Sequence, residues 1–433
     1  MQILMKYGKK GLPLQFPEDW NVTVIKKKGM PVLQSPEADI RLSFSQPVGS
    51  QTLAEEVKGR ESACILICDI TRPVPNGLIL PALIKELHAA GIHSDKISVL
   101  VATGLHRPNE GKELLEVIGD PWVLDTVKVS NHFARNDDDH VYLGKTTRGT
   151  PIKVDRRFVD ADIRIAVGLV EPHFVAGYSG GRKVIAPGIC HHDTITFFHT
   201  AKFFEDPRAE NCILEGNPLH EDQLEAVNMV GGSLAINCVI DEEHRLSFVN
   251  FGEIRASHED AVAFVQKYVE IPMAKKFKTV VTSSAGYPLD KTYYQTIKGI
   301  VGAKDILEQG GNLFVVSECS EGMGSSDFVA AQKRLIALGT EGFLEDILKK
   351  EYASIDEWNT ELQLKTMRVG KVHLFSEGLS ETDKSLTGVH IIGSPNALYE
   401  AIKQSVATSG DKSLAVIPEG PYDIPVYRPV KEA

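Results

Sequence analysis

The chain lacks three features that would each point to a different kind of protein. No apolar run approaches the ~20 residues a membrane helix needs, so no membrane is expected as a partner. The six cysteines (Cys64, Cys68, Cys190, Cys212, Cys238, Cys319) are scattered and form no C-x-x-C pair, which removes zinc-ribbon and disulfide-scaffold readings. No long basic run occurs and the formal net charge is −11, so no nucleic acid is expected either. An anionic substrate stays open, because one arginine in a pocket outweighs a diffuse negative surface. The opening MQILMKYGKKGLPLQFPEDW has no signal-peptide core, and a reduced, cytoplasmic setting fits. Internal repeats and low-complexity segments are also missing.

What is present is an alternation. At 433 residues, the chain has room for two or three domains of roughly 100–200 residues. Apolar runs rich in Val, Ile and Leu occur at Ala63–Ile70, Ile97–Ala102, Ile163–Val170, Thr279–Ala285, Asn312–Cys319 and Lys371–Gly378. Such continuous runs predict strands buried on both faces, hence parallel sheets. Helical patterns such as GLILPALIKELHAAG and EIRASHEDAVAFVQKYVE lie between them. The fold class expected is α/β, with two domains of mainly parallel sheet. A Pro- and Lys-containing stretch at Glu270–Lys278 marks the boundary, giving an N-terminal domain over 1–272 and a C-terminal domain over 273–433. A ligand cleft between the two is expected.

The chemistry gathers where strands end. In α/β folds ligands bind at the carboxyl ends of strands. The first run leads into DITRPVPNG, which brings Asp69 and Arg72 to that position. Arg72 can hold a carboxylate through paired hydrogen bonds; the plainer reading has Asp69 and Arg72 bracing a proline-stiffened turn. The second run leads into TGLHRPNE, with His106 just past the turn and Asn109 as a candidate helix N-cap. The third leads into EPHFVAGYSGGRKVIAPG, with His173 in the same relative place and Lys183 at the end of the glycines.

Glycines let backbone approach a ligand closely, and a lysine there can pair with an anion or bond to a carbon electrophile. The phosphate-loop pattern is not met, because Arg182 stands where its second glycine belongs and Val184 follows the lysine. The dinucleotide pattern G-x-G-x-x-G is absent too. CHHDTITFFHT then supplies His191, His192 and His199. No H-E-x-x-H spacing accompanies them, so a single protein ligand such as His199 would need its metal completed by a cofactor. In the second half, Gln295 and Lys298 share a face near the start of a predicted helix, a place suited to a phosphate or carboxylate. Tyr294 and Trp358 are candidates to line a pocket or to pack.

Taken together, DITRPVPN, TGLHRP, EPHFVAGYSGGRKVIAPG, FHTAKFF and YPLDKTYYQTIKG resemble the lactate racemase family in order and spacing, from about Asp69 to Lys298. The resemblance implies a nickel pincer nucleotide, a pyridinium mononucleotide whose thioacid groups grip nickel through one carbon and two sulfurs. It implies a covalent link from Lys183 to that cofactor, and His199 as the nickel ligand completing a square-planar set. It makes His106 and His173 the acid–base pair, and Arg72 the residue that orients the substrate carboxylate. Asp69 is then near the cofactor or holding the arginine, and Gln295 and Lys298 line the closed cleft. The implied activity is racemisation or epimerisation of a 2-hydroxy acid by hydride transfer through a 2-oxo acid, after maturation by cofactor-synthesis enzymes. Lactate is one substrate implied; malate, longer hydroxy acids and sugar acids are others. Two further readings stay in view: a zinc hydrolase or lyase built on His191 and His192, and a two-lobed carrier or sensor without turnover.

Overall fold

The computed structural model describes residues 1–410 and 412–429. Two compact units make up the chain. The first comprises Gly29–His199 and Asp206–Lys267; the second comprises Met1–Lys28, Thr200–Glu205 and Tyr268–Ala433. The architecture is α/β with largely parallel sheets.

The first unit is built on six strands in the order Leu246–Glu253, Leu234–Ile240, Ile163–Leu169, Ala63–Cys68, Ile97–Ala102, Lys128–Asn131. All neighbours are parallel except the pair Leu234–Ile240 and Leu246–Glu253. Every residue of Ala63–Cys68 is buried, as an unbroken apolar run requires when helices cover both faces. From that strand the chain first proceeds to Ile97–Ala102 and Lys128–Asn131 on one side. It then returns to Ile163–Leu169 on the other. The order therefore reverses between Ala63–Cys68 and Ile163–Leu169, and their carboxyl ends flank the crevice where such sheets take ligands. The cysteines behave as small apolar residues: five of the six are buried and none is bridged.

The second unit holds six parallel strands in the order His390–Ile392, Gly370–Phe375, Leu307–Val316, Phe277–Ser283, Ser413–Ile417, Asn21–Val24. This unit is not contiguous in sequence, unlike the expected division at 272. Asn21–Val24 completes the sheet beside Ser413–Ile417. The preceding hairpin buries Ile3, Met5, Tyr7 and Leu14 with Val281, Phe314 and Val416. Thr200–Glu205 joins the unit as well. Ala201 packs with Leu335, Phe343, Ile347 and Leu364, Lys365 donates to the Phe204 carbonyl at 2.8 Å, and Arg368 grips both oxygens of Glu205 at 2.9 and 2.7 Å. No helix among the described residues is long and apolar enough to cross a membrane.

The glycine segment needs its glycines for contact with the sheet. Gly180 has φ +77 and Gly181 φ +46. A Cβ on Gly180 would meet Val170 Cγ2 at 2.6 Å and Leu169 O at 3.1 Å, and one on Gly168 would meet Gly180 Cα at 2.9 Å. The segment thus lies against the end of the strand Ile163–Leu169. Gly180→Ala is expected to cost on the order of 1–3 kcal/mol, through strain and overpacking together. Gly59, at φ +75 with open space around it, supplies the control: Gly59→Ala should lower the urea midpoint less. Equal midpoint shifts would show that the contact with the strand is not what demands glycine.

Candidate active site

Asp69 leaves the strand Ala63–Cys68 directly into the crevice and is buried. Its Oδ2 lies 2.6 Å from His106 Nδ1, and its Oδ1 accepts from the Thr71 hydroxyl at 2.5 Å. Burial raises the Asp69 carboxyl, but the hydrogen bonds from His106 and Thr71 outweigh it and hold the group below the usual carboxylate range. An ionised Asp69 only accepts, so His106 donates from Nδ1 and its neutral ring carries the lone pair on Nε2. The His106 side chain itself is 62% exposed, and carries that lone pair to the rim.

His173 is fixed the opposite way. The backbone N–H groups of Val175 and Ala176 donate to its Nδ1 at 3.3 and 3.2 Å, so the neutral ring carries its proton on Nε2. Burial, followed by the charges of Lys183, Arg72 and Arg182 and then by His199, holds His173 well below the ordinary histidine range. These groups lie close enough to act on one ring, so the crevice gathers Arg72, His173, Lys183 and His199 in one neighbourhood. In their neutral forms the two rings have complementary tautomers, with the proton on Nδ1 in His106 and on Nε2 in His173.

Lys183 lies in the short helix Arg182–Ile185, seated by the glycine segment. Burial first, then Arg72 and Arg182, lowers its amine well below the usual lysine range. A neutral amine is the nucleophilic form. His199 ends the helix His192–Phe198 and directs Nδ1 to the Ile195 carbonyl at 2.7 Å. The donor is then Nδ1–H, which leaves the lone pair of the neutral ring on Nε2. Burial takes its pKa down to about 4, which keeps the ring uncharged through the neutral range.

Several expectations are corrected. Asp69 holds His106 rather than Arg72; the carboxylate on Arg72 is that of Glu171, through Arg72 Nη1. Asn109 is not a helix cap: Glu110 takes that position without a side-chain bond, while Asn109 is buried and its Oδ1 accepts from the Ile70 N–H at 3.3 Å. His191 is occupied as the cap of its helix, accepting from the Asp193 N–H at 3.1 Å, and its Nε2 lies 3.0 Å from Asp137. Among the described residues no group of three His, Cys, Asp or Glu can hold a metal, so the zinc alternative at His191 and His192 has no ligand set.

Tyr294, Gln295 and Lys298 lie in the second unit, on the helix Tyr293–Gly302. Thr292 caps that helix through the Gln295 N–H, and Gln295 Oε1 is buried without a hydrogen-bond partner among the described residues. Tyr294 donates to Asp356 Oδ1 at 3.2 Å, sets its ring edge-on to Phe328 at 5.2 Å, and is hydrogen-bonded by Trp358. Both aromatic side chains are therefore engaged in internal contacts.

Two residues escaped the sequence reading. Glu171 was visible as the carboxylate two positions before His173, but nothing in the chain alone aims it at Arg72. Arg182 looked like a failed phosphate-loop position. It is fully buried, with Nη1 on His258 Nε2 at 2.9 Å and Nη2 donating to Ala176 O at 2.7 Å. No carboxylate faces it among these bonds, and burial lowers it to about 9.

A doubly wound crevice with two oriented imidazoles, an arginine and a lysine of lowered basicity gathers groups able to bind an anion and move protons. Residues 7–211 match the lactate racemase N-terminal domain, and residues 273–424 match the lactate racemase C-terminal domain. The chain belongs to the lactate racemase family and is an isomerase of the racemase class. It is 28% identical over 425 residues to the lactate racemase of Thermoanaerobacterium thermosaccharolyticum, covering 96% of this chain and 97% of that one. It is also 28% identical over 389 residues to the lactate racemase of Lactiplantibacillus plantarum, covering 89% and 90%. The solved lactate racemase apoprotein from T. thermosaccharolyticum superposes with a TM-score of 0.89 at 27% identity, over 99% of this chain and 100% of that chain. A Thermotoga maritima protein shares the fold with a TM-score of 0.65 at 18% identity, over 90% and 98%.

Lys183 should react as a neutral amine at lower pH than the surface lysines. In cofactor-free protein, competitive acetylation read by peptide mass spectrometry between about pH 6 and 10 should show the Lys183 peptide reaching its plateau first. A Lys183 profile that coincides with the bulk lysines would contradict a buried, charge-repelled amine.

Proposed function

We propose that this protein interconverts the enantiomers of a 2-hydroxy acid, with lactate as the leading candidate, using a nickel pincer nucleotide held through Lys183 and His199. The observation that carries the reading is the pair of groups that end the glycine segment and the helix after it. One is an amine whose basicity is lowered by burial and neighbouring cations; the other is an imidazole whose Nδ1 is tied to Ile195 O. The first suits covalent attachment through an amide-type bond and the second suits ligation through Nε2, so the residues present fit that group. The family names of the relatives support the substrate class.

When bound, such a cofactor supplies a hydride acceptor and donor, which spares the site from ionising a very weak carbon acid. The chain supplies the rest. Arg72 orients the substrate carboxylate. His106, with its Nδ1–H on Asp69, takes the hydroxyl proton at Nε2. Asp69 stabilises the imidazolium that forms, as a carboxylate does behind a general base. The 2-oxo acid that results is planar at the reacting carbon, so restoring hydrogen on one face or the other gives either enantiomer. His173, carrying its proton on Nε2 in the neutral ring, serves the oxygen on the opposite side. The second enantiomer finds a base at His173 once that ring moves its proton to Nδ1, which requires the Val175 and Ala176 N–H groups to let go of Nδ1. Maturation requires the enzymes that make the cofactor. A cytoplasmic location fits that requirement.

Protein matured with those enzymes should convert D- or L-lactate to the racemate by chiral chromatography, carry stoichiometric nickel, and show an adduct on the Lys183 peptide. Lys183→Ala should lose adduct and turnover together. If no member of a panel of 2-hydroxy acids is converted by nickel-loaded protein, the reading is wrong. Asp69→Asn, which offers an amide where a carboxylate accepted, should lower kcat by roughly 10²–10⁴-fold with the fold intact by circular dichroism. A kcat unchanged in Asp69→Asn would remove His106 from the role of base.

A further inference from the structure

We infer that Glu171 makes this site selective for 2-hydroxy acids that carry a single carboxylate. The inference rests on the reading above that Arg72 binds the substrate carboxylate. Arg72 and Glu171 follow the two strands that flank the crevice, Ala63–Cys68 and Ile163–Leu169, and their side chains form an ion pair across it. The pair is only partly shielded, with side-chain exposures of 27% for Arg72 and 45% for Glu171. It is an accessible contact at the rim.

Three features make Glu171 a resident competitor. Its backbone is pinned, since its N–H donates to Ser179 Oγ at 3.1 Å and its carbonyl accepts from the Ser179 N–H at 2.8 Å. The carboxylate can therefore swing only by side-chain rotation and stays beside Arg72. It uses one guanidinium nitrogen, Nη1, and no other side chain hydrogen-bonds that guanidinium among the described residues. An incoming carboxylate thus meets an arginine with donors to spare and a negative neighbour already in place, whether it displaces Glu171 or joins it.

The charge balance of this rim then sets the class of substrate. Asp69 is committed to His106. Arg182 is fully buried against His258 and Ala176. One carboxylate finds Arg72; a second carboxylate on the same molecule finds Glu171, since Arg182, which has no carboxylate partner among the described residues, is fully buried. Lactate and its longer monocarboxylate relatives are admitted, and dicarboxylates of the malate type are discriminated against by like charge, a repulsive element of the kind that sets specificity.

The test compares matured wild type, Glu171→Gln and Glu171→Asp on the enantiomers of lactate and malate. Calorimetric titration of each cofactor-free protein with lactate and with malate supplies a readout independent of turnover. Wild type should favour lactate. Glu171→Gln should raise the malate-to-lactate ratio of kcat/KM, and of affinity, by roughly 10-fold, the order of one charge contact near a protein surface. Glu171→Asp, which keeps the charge, should stay near the wild-type ratio. A ratio unmoved in Glu171→Gln, weaker lactate binding in that variant, or a wild type that favours malate overturns the inference, the first two by making Glu171 only a prop for Arg72. If no variant turns over any hydroxy acid, the racemase reading fails, and the binding ratio still decides on Glu171. Carboxylate binding to none of the proteins would remove Arg72 as the anchor and the inference with it.

Discussion

The close contact between the glycine segment and the end of the strand Ile163–Leu169 is the constraint on which the site depends. Backbone meets backbone there at distances that exclude a Cβ. That contact brings the helix Arg182–Ile185 down onto the carboxyl end of the sheet, at the point where strand order reverses. Lys183 and the fully buried Arg182 are consequences of it. So is the low basicity of the Lys183 amine, on which desolvation and two nearby guanidinium groups act.

Hydrogen bonds then divide the work among groups of the same type. His106 and His173 are both imidazoles near one crevice, yet a carboxylate fixes the proton of the first on Nδ1 and two backbone N–H groups fix that of the second on Nε2. His199 is oriented by a third device, a helix carbonyl four residues back. Each orientation comes from an element next in sequence or next in the sheet, so the tautomers are properties of the scaffold. The two carboxylates of the rim are divided likewise: Asp69 holds His106, and Glu171 balances Arg72.

Much of this was legible beforehand, for definable reasons. Strands buried on both faces show as unbroken Val, Ile and Leu runs, and the six runs singled out all contain strands of the two sheets. In the first unit, residues just past such runs come together at one crevice, because parallel strands put their carboxyl ends on one edge. Side-chain partners were not legible in the same way. Asp69 and Arg72 are three residues apart, which invited pairing them. Each instead found a partner from a different strand end, His106 and Glu171, separated by 37 and 99 residues. Asn109 looked like a cap because its type suits one, but tertiary packing turned it inward to brace the loop at Ile70. The adjacent His191 and His192 suggested a metal, and helix capping and ion pairing account for His191 instead.

The sequence by itself determined the α/β class, the family resemblance, and which residue types stand at the strand ends, because hydrophobic period and local motif are written along the chain. Tertiary structure decided who pairs with whom and which nitrogen of each histidine holds its proton. It also decided that Met1–Lys28 and Thr200–Glu205 fold with the second unit. Those outcomes depend on register between strands distant in sequence and on burial, which no local pattern encodes.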